Sequence, residues 1–264
     1  MLEKKIFYRD NNSLLVYSDT FKFMENMKHN SIDMIFADPP YFLSNGGFSN
    51  SGGKRVSVNK GEWDKINTLE EKHAFNKKWI SLAKQILKPN GTIWITGTYH
   101  NIYSVGMALE EGGFKILNNI TWQKRNPAPN LSCRVFTHST ETLLWAKKKT
   151  EKNRHYFNYD LLKQINNGKQ MTDVWNGPLT PHKEKRFGKH PTQKPEYLLE
   201  RVILASTKPT DFILDPFVGS GTTGVIAKRL NRRFIGIDNN EYYLDIAKKR
   251  LINEISLIEK NKKR

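Results

Sequence analysis

A strand, a glycine-rich turn, a helix and a second strand follow one another in residues 213–238, and this order constrains the fold more than any other feature. The segment reads ILDPFVGSGTTGVIAKRLNRRFIGID. Small residues at such a turn let a ligand approach the backbone closely. Asp238 closes the second strand, at a separation from the turn that lets a carboxylate accept hydrogen bonds from the ribose hydroxyls of a nucleotide. The segment therefore predicts a β-α-β unit that binds a nucleoside.

The turn does not carry the residues that bind a phosphate chain. Thr222 and Thr223 stand where a P-loop would need its lysine, and GSGTTG is not a form of the dinucleotide pattern that requires a pyrophosphate. We therefore predict a nucleoside ligand with little phosphate. A tight turn without any ligand is the alternative, and the presence of strand, turn, helix, strand and acid in this order argues against it.

The rest of the chain also alternates short apolar strands with helical patterns. Strands are predicted at residues 13–19, 32–38 and 92–97. Phe75, Trp79, Ala83 and Ile86 recur near helical spacing, and the KPNG sequence that follows ends that helix. FKILNNITWQK and TETLLWAKK predict an antiparallel pair of strands. The alternation predicts an α/β fold with a Rossmann-like, doubly wound, mostly parallel sheet.

Residues 35–47, IFADPPYFLSNGG, end a buried strand in an acid, two prolines and a tyrosine. Ligands bind at the carboxyl ends of strands in open α/β sheets. The prolines restrict the backbone, so Asp38 and the carbonyl oxygen of Pro39 are two acceptors held close together. They match the two hydrogens of an exocyclic amine, and Tyr41 offers a flat face on which a base can stack, worth about 1–3 kcal/mol. The segment predicts a pocket for a nucleobase with an amino group.

The charge balance points to a polyanionic partner. The chain has 264 residues, with 43 Lys and Arg against 26 Asp and Glu, for a net charge of +17. Such an excess favours nucleic acid or an acidic membrane surface, although a lysine-rich proteome produces the same balance. Cys133 is the single cysteine, so no intrachain disulfide, no cysteine metal cluster and no metal site are expected. We see no signal peptide and no membrane span, and expect a cytoplasmic protein without a membrane partner.

Residues 124–189 differ in character from the sequence around them. Periodicity weakens, and basic, aromatic and proline residues mix in stretches such as KRNPAPN and PHKEKRFGKHPTQKP. Long irregular regions in compact domains are usually functional or disordered. We interpret residues 1–264 as one catalytic domain, with residues 124–189 as an insert that faces the substrate. A solvated connector is the alternative.

Three motifs together resemble a known family. DPPY at residues 38–41, DPFVGSGTTG at residues 215–224 and HPTQKP at residues 190–195 are similar to the motifs of amino-directed DNA methyltransferases that use S-adenosylmethionine. The catalytic motif precedes the cofactor motif, which is the circularly permuted order of the beta class. FADPPYFLSNGG, NPAPNLSCR and GKHPTQKPEYLLER resemble, more closely, the smaller adenine-N6 methyltransferases of GATC-specific restriction-modification systems. The resemblance covers nearly the whole chain.

The resemblance implies roles for individual residues. It implies a catalytic set that accepts from the adenine N6 amine and stacks on the extruded base: Asp38, Pro39, Pro40 and Tyr41. It implies a set that binds S-adenosylmethionine: Asp19, Asp38, Thr192, Lys194, Asp215, Phe217, Gly219, Ser220, Gly221, Thr222 and Asp238. Within this set Asp19 contacts the cofactor adenine, Asp238 holds the ribose, and Thr192 and Lys194 lie near the methionine carboxylate.

DNA is the expected partner, and the target base must leave the stack to reach the pocket. We place sequence reading in residues 124–189 and in the Gly/Ser/Asn-rich loop of residues 44–61. The residues expected to contact DNA are Arg125, Asn126, Asn130 and Arg134. The resemblance also implies a homodimer and a cognate restriction endonuclease in the same system. Four alternatives stay open: cytosine-N4 methylation, an RNA substrate, a protein glutamine substrate, and a DNA-binding module of this fold without catalysis.

Overall fold

Strands and helices alternate along the residues that this computed structural model describes, which are residues 5–42, 48–51, 54–57, 68–149 and 154–262. The strands are β1 (Lys5–Arg9), β2 (Ser13–Tyr17), β3 (Ile32–Ala37), β4 (Phe48–Ser51), β5 (Lys54–Ser57), β6 (Leu87–Gly97), β7 (Phe114–Lys124), β8 (Thr140–Lys148), β9 (Val174–Gly177), β10 (Phe212–Asp215) and β11 (Arg233–Asp238). The helices are α1 (Thr20–Glu25), α2 (Leu69–Ile86), α3 (Ile102–Glu111), α4 (Tyr159–Ile165), α5 (Glu196–Ser206), α6 (Thr222–Arg229) and α7 (Glu241–Lys262).

One sheet organises the described part of the chain, in the order β1-β2-β11-β10-β3-β6-β8-β7-β9. The run from β2 to β6 is parallel throughout, whereas β8 pairs antiparallel with both β6 and β7. The predicted mostly parallel α/β sheet and the predicted antiparallel pair are therefore confirmed. The chain leaves β10 in one direction along the sheet, toward β11, and leaves β3 in the other, toward β6. Such a switch point between neighbouring strands is where ligands bind in this fold.

Helices cover both faces of the sheet, and the strands are apolar on both sides for that reason. Along β3, Met34 and Phe36 pack with α5, α6 and α7, whereas Ile35 and Ala37 pack with α2 and α3. Side chains that alternate along a strand thus feed two separate cores. Because side chains on both faces of β3 are buried, the position of β3 in the sheet is fixed. The position of Asp38, which directly follows β3, is therefore fixed as well.

The observed elements differ from the sequence-based expectation in two places. The KPNG sequence does end α2, but β6 already pairs with β3 from Leu87, and a bulge in the pairing accommodates the Pro and Gly residues. Within residues 124–189, β8 is a predicted strand and β9 is not, and both belong to the sheet itself. Residues 125–139 lie outside the sheet, between β7 and β8. No helix in the described ranges is long and apolar enough to cross a membrane.

Candidate active site

A cavity of about 310 Å³ opens over the carboxyl ends of β3, β10 and β11. Residues from separate predicted motifs line it together. The lining includes Asp19, Asp38, Pro39, Pro40, Tyr41, Thr192, Lys194, Asp215, Phe217, Gly219, Ser220, Thr222 and Asp238. Of the predicted cofactor set, Gly221 alone is outside this lining, and it supports the turn from below. The volume suits a nucleoside-sized ligand.

The glycine turn needs backbone conformations that other residues adopt with strain. Gly219 and Gly221 have φ values of 48° and 77°, in the left-handed region that glycine tolerates. A Cβ at Gly219 would lie 2.9 Å from Nε2 of His190, and one at Gly221 would lie 2.7 Å from Cβ of Ala247. Both glycines are therefore required by conformation and by space.

Asp215 holds the turn from beneath. Its carboxylate accepts from the backbone N–H of Phe217 at 3.0 Å and from the Thr223 hydroxyl at 2.6 Å. Burial raises the pKa of Asp215 to about 7, against the lowering effect of these two hydrogen bonds. No lysine or arginine pairs with it among the described residues. Asp215 thus orders the turn, and its own carboxyl group borders the cavity without a lysine or arginine partner among the described residues.

Asp238 lies at the end of β11, where it was predicted to hold a ribose. It accepts from the backbone N–H of Gly219 and from that of Asn240, each at 2.9 Å. These bonds tie the second strand of the unit to the turn. Burial raises the pKa of Asp238 to about 6, although the backbone donors lower it. Asp238 also borders the cavity, so its carboxylate can accept from a ligand hydroxyl.

The Asp38 carboxylate accepts three hydrogen bonds from the described residues. Its Oδ1 accepts from the Tyr41 hydroxyl and from the Thr96 hydroxyl, both at 2.6 Å. Its Oδ2 accepts from Nζ of Lys194 at 2.6 Å. An ionised carboxylate has about four acceptor positions, so about one position of Asp38, on Oδ2, remains for a further donor.

The two proline carbonyls that follow Asp38 have different surroundings. The carbonyl oxygen of Pro40 accepts from the Asn101 side chain at 3.1 Å, and Asn101 in turn accepts from Asn76 at 2.8 Å. Both asparagines are buried. Within the described part of the chain, no hydrogen bond reaches the carbonyl oxygen of Pro39. The acceptor that the sequence predicts to bind an amine is thus the one that the fold leaves open.

Tyr41 and Lys194 lie beside Asp38. The Tyr41 hydroxyl accepts from Nζ of Lys194 at 3.2 Å while it donates to Asp38. Burial, followed by the charge of Asp38, raises the pKa of Tyr41 well above its usual range, so its hydroxyl keeps its proton. Burial alone lowers the pKa of Lys194, but Asp38, Tyr41 and Glu141 raise it well above its usual range. Lys194 therefore stays charged and here pairs with Asp38.

Asp19 and Thr192 complete the predicted set. Asp19 caps α1 by accepting from the Lys22 backbone N–H at 3.0 Å. Thr192 places its hydroxyl 3.5 Å from Nδ1 of His190. Both lie on the cavity wall, where a ligand can reach them. In the described ranges no group of three or more His, Cys, Asp or Glu residues is arranged to hold a metal ion.

Sequence reasoning missed several residues that support or border the site. Arg250 of α7 is buried and donates to the Ser220 carbonyl at 2.9 Å and to the Thr222 hydroxyl at 2.8 Å, so it supports the glycine turn from behind. Glu196 accepts from the same guanidinium at 3.0 Å. His190 lines the cavity edge-on to the Tyr243 ring. His190 stands in the HPTQKP motif and could have been noticed, whereas Arg250 follows no local signal.

The predicted DNA contacts lie outside this cavity, on the segment between β7 and β8. Arg125 and Arg134 are exposed. Asn126 accepts from the Leu179 backbone N–H at 3.0 Å, and Asn130 donates to the Val135 carbonyl at 2.7 Å, so both amides shape the segment. Phe136 is 97% exposed at the same segment. Of the second predicted DNA-facing loop, residues 44–61, only the β4–β5 hairpin backbone is described; the rest lies outside the described residues.

The fold and its likeness to solved structures define the class of this protein, which is a Rossmann-like methyltransferase with its DPPY segment ahead of its glycine turn in the chain. The structure titled "crystal structure of M1.HpyAVI-SAM complex" superposes with a TM-score of 0.66 at 31% identity, over 90% of this chain and 98% of that one. The cytosine-N4-specific PvuII DNA methyltransferase superposes with a TM-score of 0.72 over 95% of this chain and 90% of that one, and at 20% identity it shows the fold alone.

The chain belongs to the N6_N4_Mtase family, described as DNA methylase, whose model matches residues 32–249. It is 72% identical to the type II methyltransferase M2.DpnII of Streptococcus pneumoniae over 251 residues, which are 95% of this chain and 94% of that protein. It is 52% identical to the type II methyltransferase M2.MboI of Moraxella bovis, over 98% of this chain and 94% of that one. The expected family and enzyme class are confirmed: the chain is a site-specific DNA methyltransferase.

Proposed function

We propose that this DNA methyltransferase transfers a methyl group from S-adenosylmethionine to the N6 amine of adenine, at GATC sites of a restriction-modification system. One observation carries the proposal. Asp38 has about one open acceptor position on Oδ2, and the neighbouring Pro39 carbonyl is open as well. Two open acceptors beside a nucleoside-sized cavity fit the two hydrogens of an exocyclic amine.

The cavity fits S-adenosylmethionine in shape and in charge. Gly219, Asp238 and Asp19 all line the cavity, which supports close approach of the cofactor to the turn, binding of its ribose by Asp238 and contact of its adenine with Asp19. Asp215 and Asp238 have no lysine or arginine partner among the described residues, and burial raises their pKa values to about 7 and about 6. They supply negative charge when a positively charged ligand displaces their protons. The cofactor supplies an electrophilic methyl group on a positively charged sulfur. Thr192 and Lys194 line the cavity, where the Thr192 hydroxyl can donate to the methionine carboxylate and the Lys194 ammonium can act on it through its charge.

The nitrogen of an aromatic amine is a poor nucleophile because its lone pair is delocalised into the ring. Hydrogen bonds to Asp38 and to the Pro39 carbonyl favour a pyramidal nitrogen and stabilise its developing positive charge. The nitrogen lone pair forms the N–C bond as the methyl–sulfur bond breaks, and that electron pair returns to sulfur. One N6 proton then leaves through Asp38 to water. The products are N6-methyladenine, S-adenosylhomocysteine and one proton, and no covalent enzyme intermediate is needed.

DNA reaches the site by extrusion of the target base. Extrusion costs a few kcal/mol, which phosphate contacts from a chain of net charge +17 offset. We propose that residues 125–139 read the sequence, with Arg125 and Arg134 on the phosphates or base edges. The segment begins after Lys124 and ends before Glu141, and these two residues pair with each other at the edge of the active site. Tyr41 lines the cavity with its ring and can stack on the extruded base.

Adenine is favoured over cytosine by the Asp before the two prolines, in keeping with the family habit. The GATC target rests on the likeness of residues 36–47 and 188–201 to GATC-specific enzymes. The type II names of the similar proteins support a restriction-modification setting with a cognate endonuclease. A cytoplasmic location follows from a DNA substrate, and a homodimer is proposed on the family likeness.

The test is transfer of tritium from labelled S-adenosylmethionine to matched duplexes with and without GATC, followed by nucleoside analysis. We expect label in N6-methyladenine, in the GATC duplex only, and none with Asp38→Ala. Label in N4-methylcytosine would replace adenine with cytosine as the target. Label in a duplex without GATC would remove the proposed site. No transfer to any DNA would overturn the proposal.

A further inference from the structure

Four charged side chains form an alternating row behind the DPPY segment. Lys124 Nζ lies 2.6 Å from Oε1 of Glu141, and Oε2 of Glu141 lies 3.6 Å from Nζ of Lys194. Lys194 Nζ lies 2.6 Å from Asp38. The side chains of Glu141, Lys194 and Asp38 are each less than 15% exposed. Two lysines and two carboxylates thus balance to zero charge in a largely buried row.

Lys194 positions Asp38. Its three ammonium hydrogens go to Oδ2 of Asp38, to the Tyr41 hydroxyl at 3.2 Å and to the Thr192 carbonyl at 3.3 Å. With all three donors in use, the ammonium is held in one place and so is the carboxylate that it binds. This arrangement leaves a fixed open acceptor on Asp38 for the amine.

The same ammonium creates an electrostatic difficulty for methyl transfer. An amine nitrogen bound to Oδ2 of Asp38 would lie within about 5 Å of Nζ of Lys194, since both bind one oxygen. That nitrogen becomes positively charged as the methyl group arrives. Like charges repel strongly in a site shielded from water. Asp38 offsets the Lys194 charge in their ion pair, but Asp38 also has to stabilise the amine nitrogen. The part of the Lys194 charge that Asp38 does not offset therefore opposes the reaction.

Glu141 is placed to neutralise it. Its Oε1 is taken by Lys124, but its buried Oε2 has no hydrogen-bond partner among the described residues. A buried carboxylate oxygen without a donor is costly, and Nζ of Lys194 lies 3.6 Å from it. All donors of Lys194 point elsewhere, so Glu141 acts on Lys194 through its charge rather than through a hydrogen bond.

We propose that Glu141 is a positioning residue for methyl transfer, whose carboxylate neutralises Lys194 so that Lys194 can hold Asp38 without repelling the amine nitrogen as it becomes cationic. The inference rests on the proposed amine methylation and applies equally to an adenine or a cytosine amine. The alternative is that Glu141 only joins β7 to β8 through Lys124.

The decisive comparison is Glu141→Gln against Lys124→Gln, each measured at saturating DNA and cofactor. If Glu141 neutralises Lys194, Glu141→Gln lowers kcat by about 10- to 100-fold, whereas Lys124→Gln leaves kcat within about threefold because Glu141 keeps its charge. Glu141→Asp retains most of kcat. If Glu141 only joins the strands, both Gln variants lose activity equally, and the proposal is overturned. The Kd of S-adenosylmethionine for Glu141→Gln stays within about threefold of wild type, and a parallel loss of affinity also overturns it.

A double-mutant cycle distinguishes the proposed electrostatic role of Glu141 from a purely structural role. In a Lys194→Met background Glu141 has no ammonium to neutralise, so adding Glu141→Gln costs less than about threefold in kcat. An equal cost in both backgrounds contradicts the proposal. If Glu141→Gln does not fold, the Lys124→Gln and Glu141→Asp variants still test the proposal. A loss of kcat above tenfold in Lys124→Gln, or in Glu141→Asp, contradicts the proposal. Absence of methyl transfer by the wild type would overturn the proposed function itself. An active wild type with equal kcat values for Glu141→Gln and Lys124→Gln would overturn this inference alone.

Discussion

The two halves of the active site hold their acids in opposite ways. On the cofactor side, Asp215 and Asp238 are bound by backbone N–H groups and a hydroxyl, and burial raises their pKa values to about 7 and about 6. On the amine side, Asp38 and Glu141 each lie against a lysine, within a row that balances to zero.

The difference matches the charge of the two substrates. S-adenosylmethionine carries a positive sulfur, so a half-site with acids and no paired cation is suited to it. The target amine is neutral until the methyl group arrives, so a half-site that is already balanced neither attracts a cation nor repels the product nitrogen. The fold thus separates attraction of the cofactor from activation of the amine, and four variants test this separation.

The largest effect is expected from Asp38→Asn, which keeps the shape of the side chain and removes its charge. The amide presents a donor where Oδ2 accepts, so we expect kcat to fall by about 10³-fold. The Kd of S-adenosylmethionine should change by less than about tenfold, because the cofactor acids are untouched. Single-turnover kinetics and equilibrium binding measure the two. A loss of cofactor affinity as large as the loss of kcat would erase the distinction between the halves.

Asp238→Asn tests the other half. Hydrogen bonds to a charged group contribute about 1.5–3 kcal/mol, so the Kd of the cofactor should rise by about 10- to 100-fold. At saturating cofactor, kcat should stay within about threefold of wild type. Isothermal titration and steady-state kinetics supply the numbers. Unchanged affinity would mean that Asp238 only closes the turn through Gly219 and Asn240.

Asp215→Asn sharpens the comparison through the pH dependence of stability. The folded protein keeps a proton on Asp215 up to about pH 7, whereas the unfolded chain releases it near the ordinary value of 3.8. Between these values the folded state binds more protons, so the free energy of unfolding falls as the pH rises. One proton corresponds to about 1.4 kcal/mol per pH unit. Urea denaturation from pH 4.5 to 6.5 should show a slope reduced by up to this amount in Asp215→Asn, with Asp173→Asn as a control at an exposed position. If the pH dependence of the free energy of unfolding were unchanged in Asp215→Asn, a group other than Asp215 would be the one that titrates in this pH range.

The smallest effect is expected at the DNA surface, outside both halves. Arg134→Ala should weaken DNA binding by a few-fold and reduce the salt dependence by about one phosphate contact, because Arg134 is exposed on the segment between β7 and β8 that we propose to contact DNA. The Kd of the cofactor should be unaffected. Arg9→Ala, on the distant edge strand β1, is the matched control. Equal DNA affinity of Arg134→Ala and wild type over a range of salt concentrations would mean that Arg134 does not contact DNA.

The cofactor half could be predicted from sequence because its contacts are local. Asp215 binds Phe217 and Thr223, and these residues are two and eight positions away along the chain. Strand, turn and helix therefore leave their signature within one short segment. The amine half could be predicted only in part: the open Pro39 carbonyl followed from DPPY, but the pairing of Asp38 with Lys194 joins residues 156 positions apart.

The contacts that were missed share this long-range character. Arg250 supports the glycine turn from 30 positions away, and Glu141 reaches Lys194 across the sheet. No local pattern specifies which helix or strand packs behind a motif. Sequence reasoning also missed β4 and β5, which it treated as loop, and β1 and β9, which are short and form the two edges of the large sheet. Short edge strands carry little of the two-sided burial that marks an interior strand such as β3.

The most direct measurement is proton release on cofactor binding. Titration calorimetry of S-adenosylmethionine at pH 6, in two buffers of different ionisation enthalpy, reports the protons exchanged. Since Asp215 and Asp238 have pKa values of about 7 and about 6 in the free protein, binding a positively charged ligand should release about one proton per cofactor. Asp38→Asn should release as much. No release, or uptake of protons, would contradict the division of charge between the two halves.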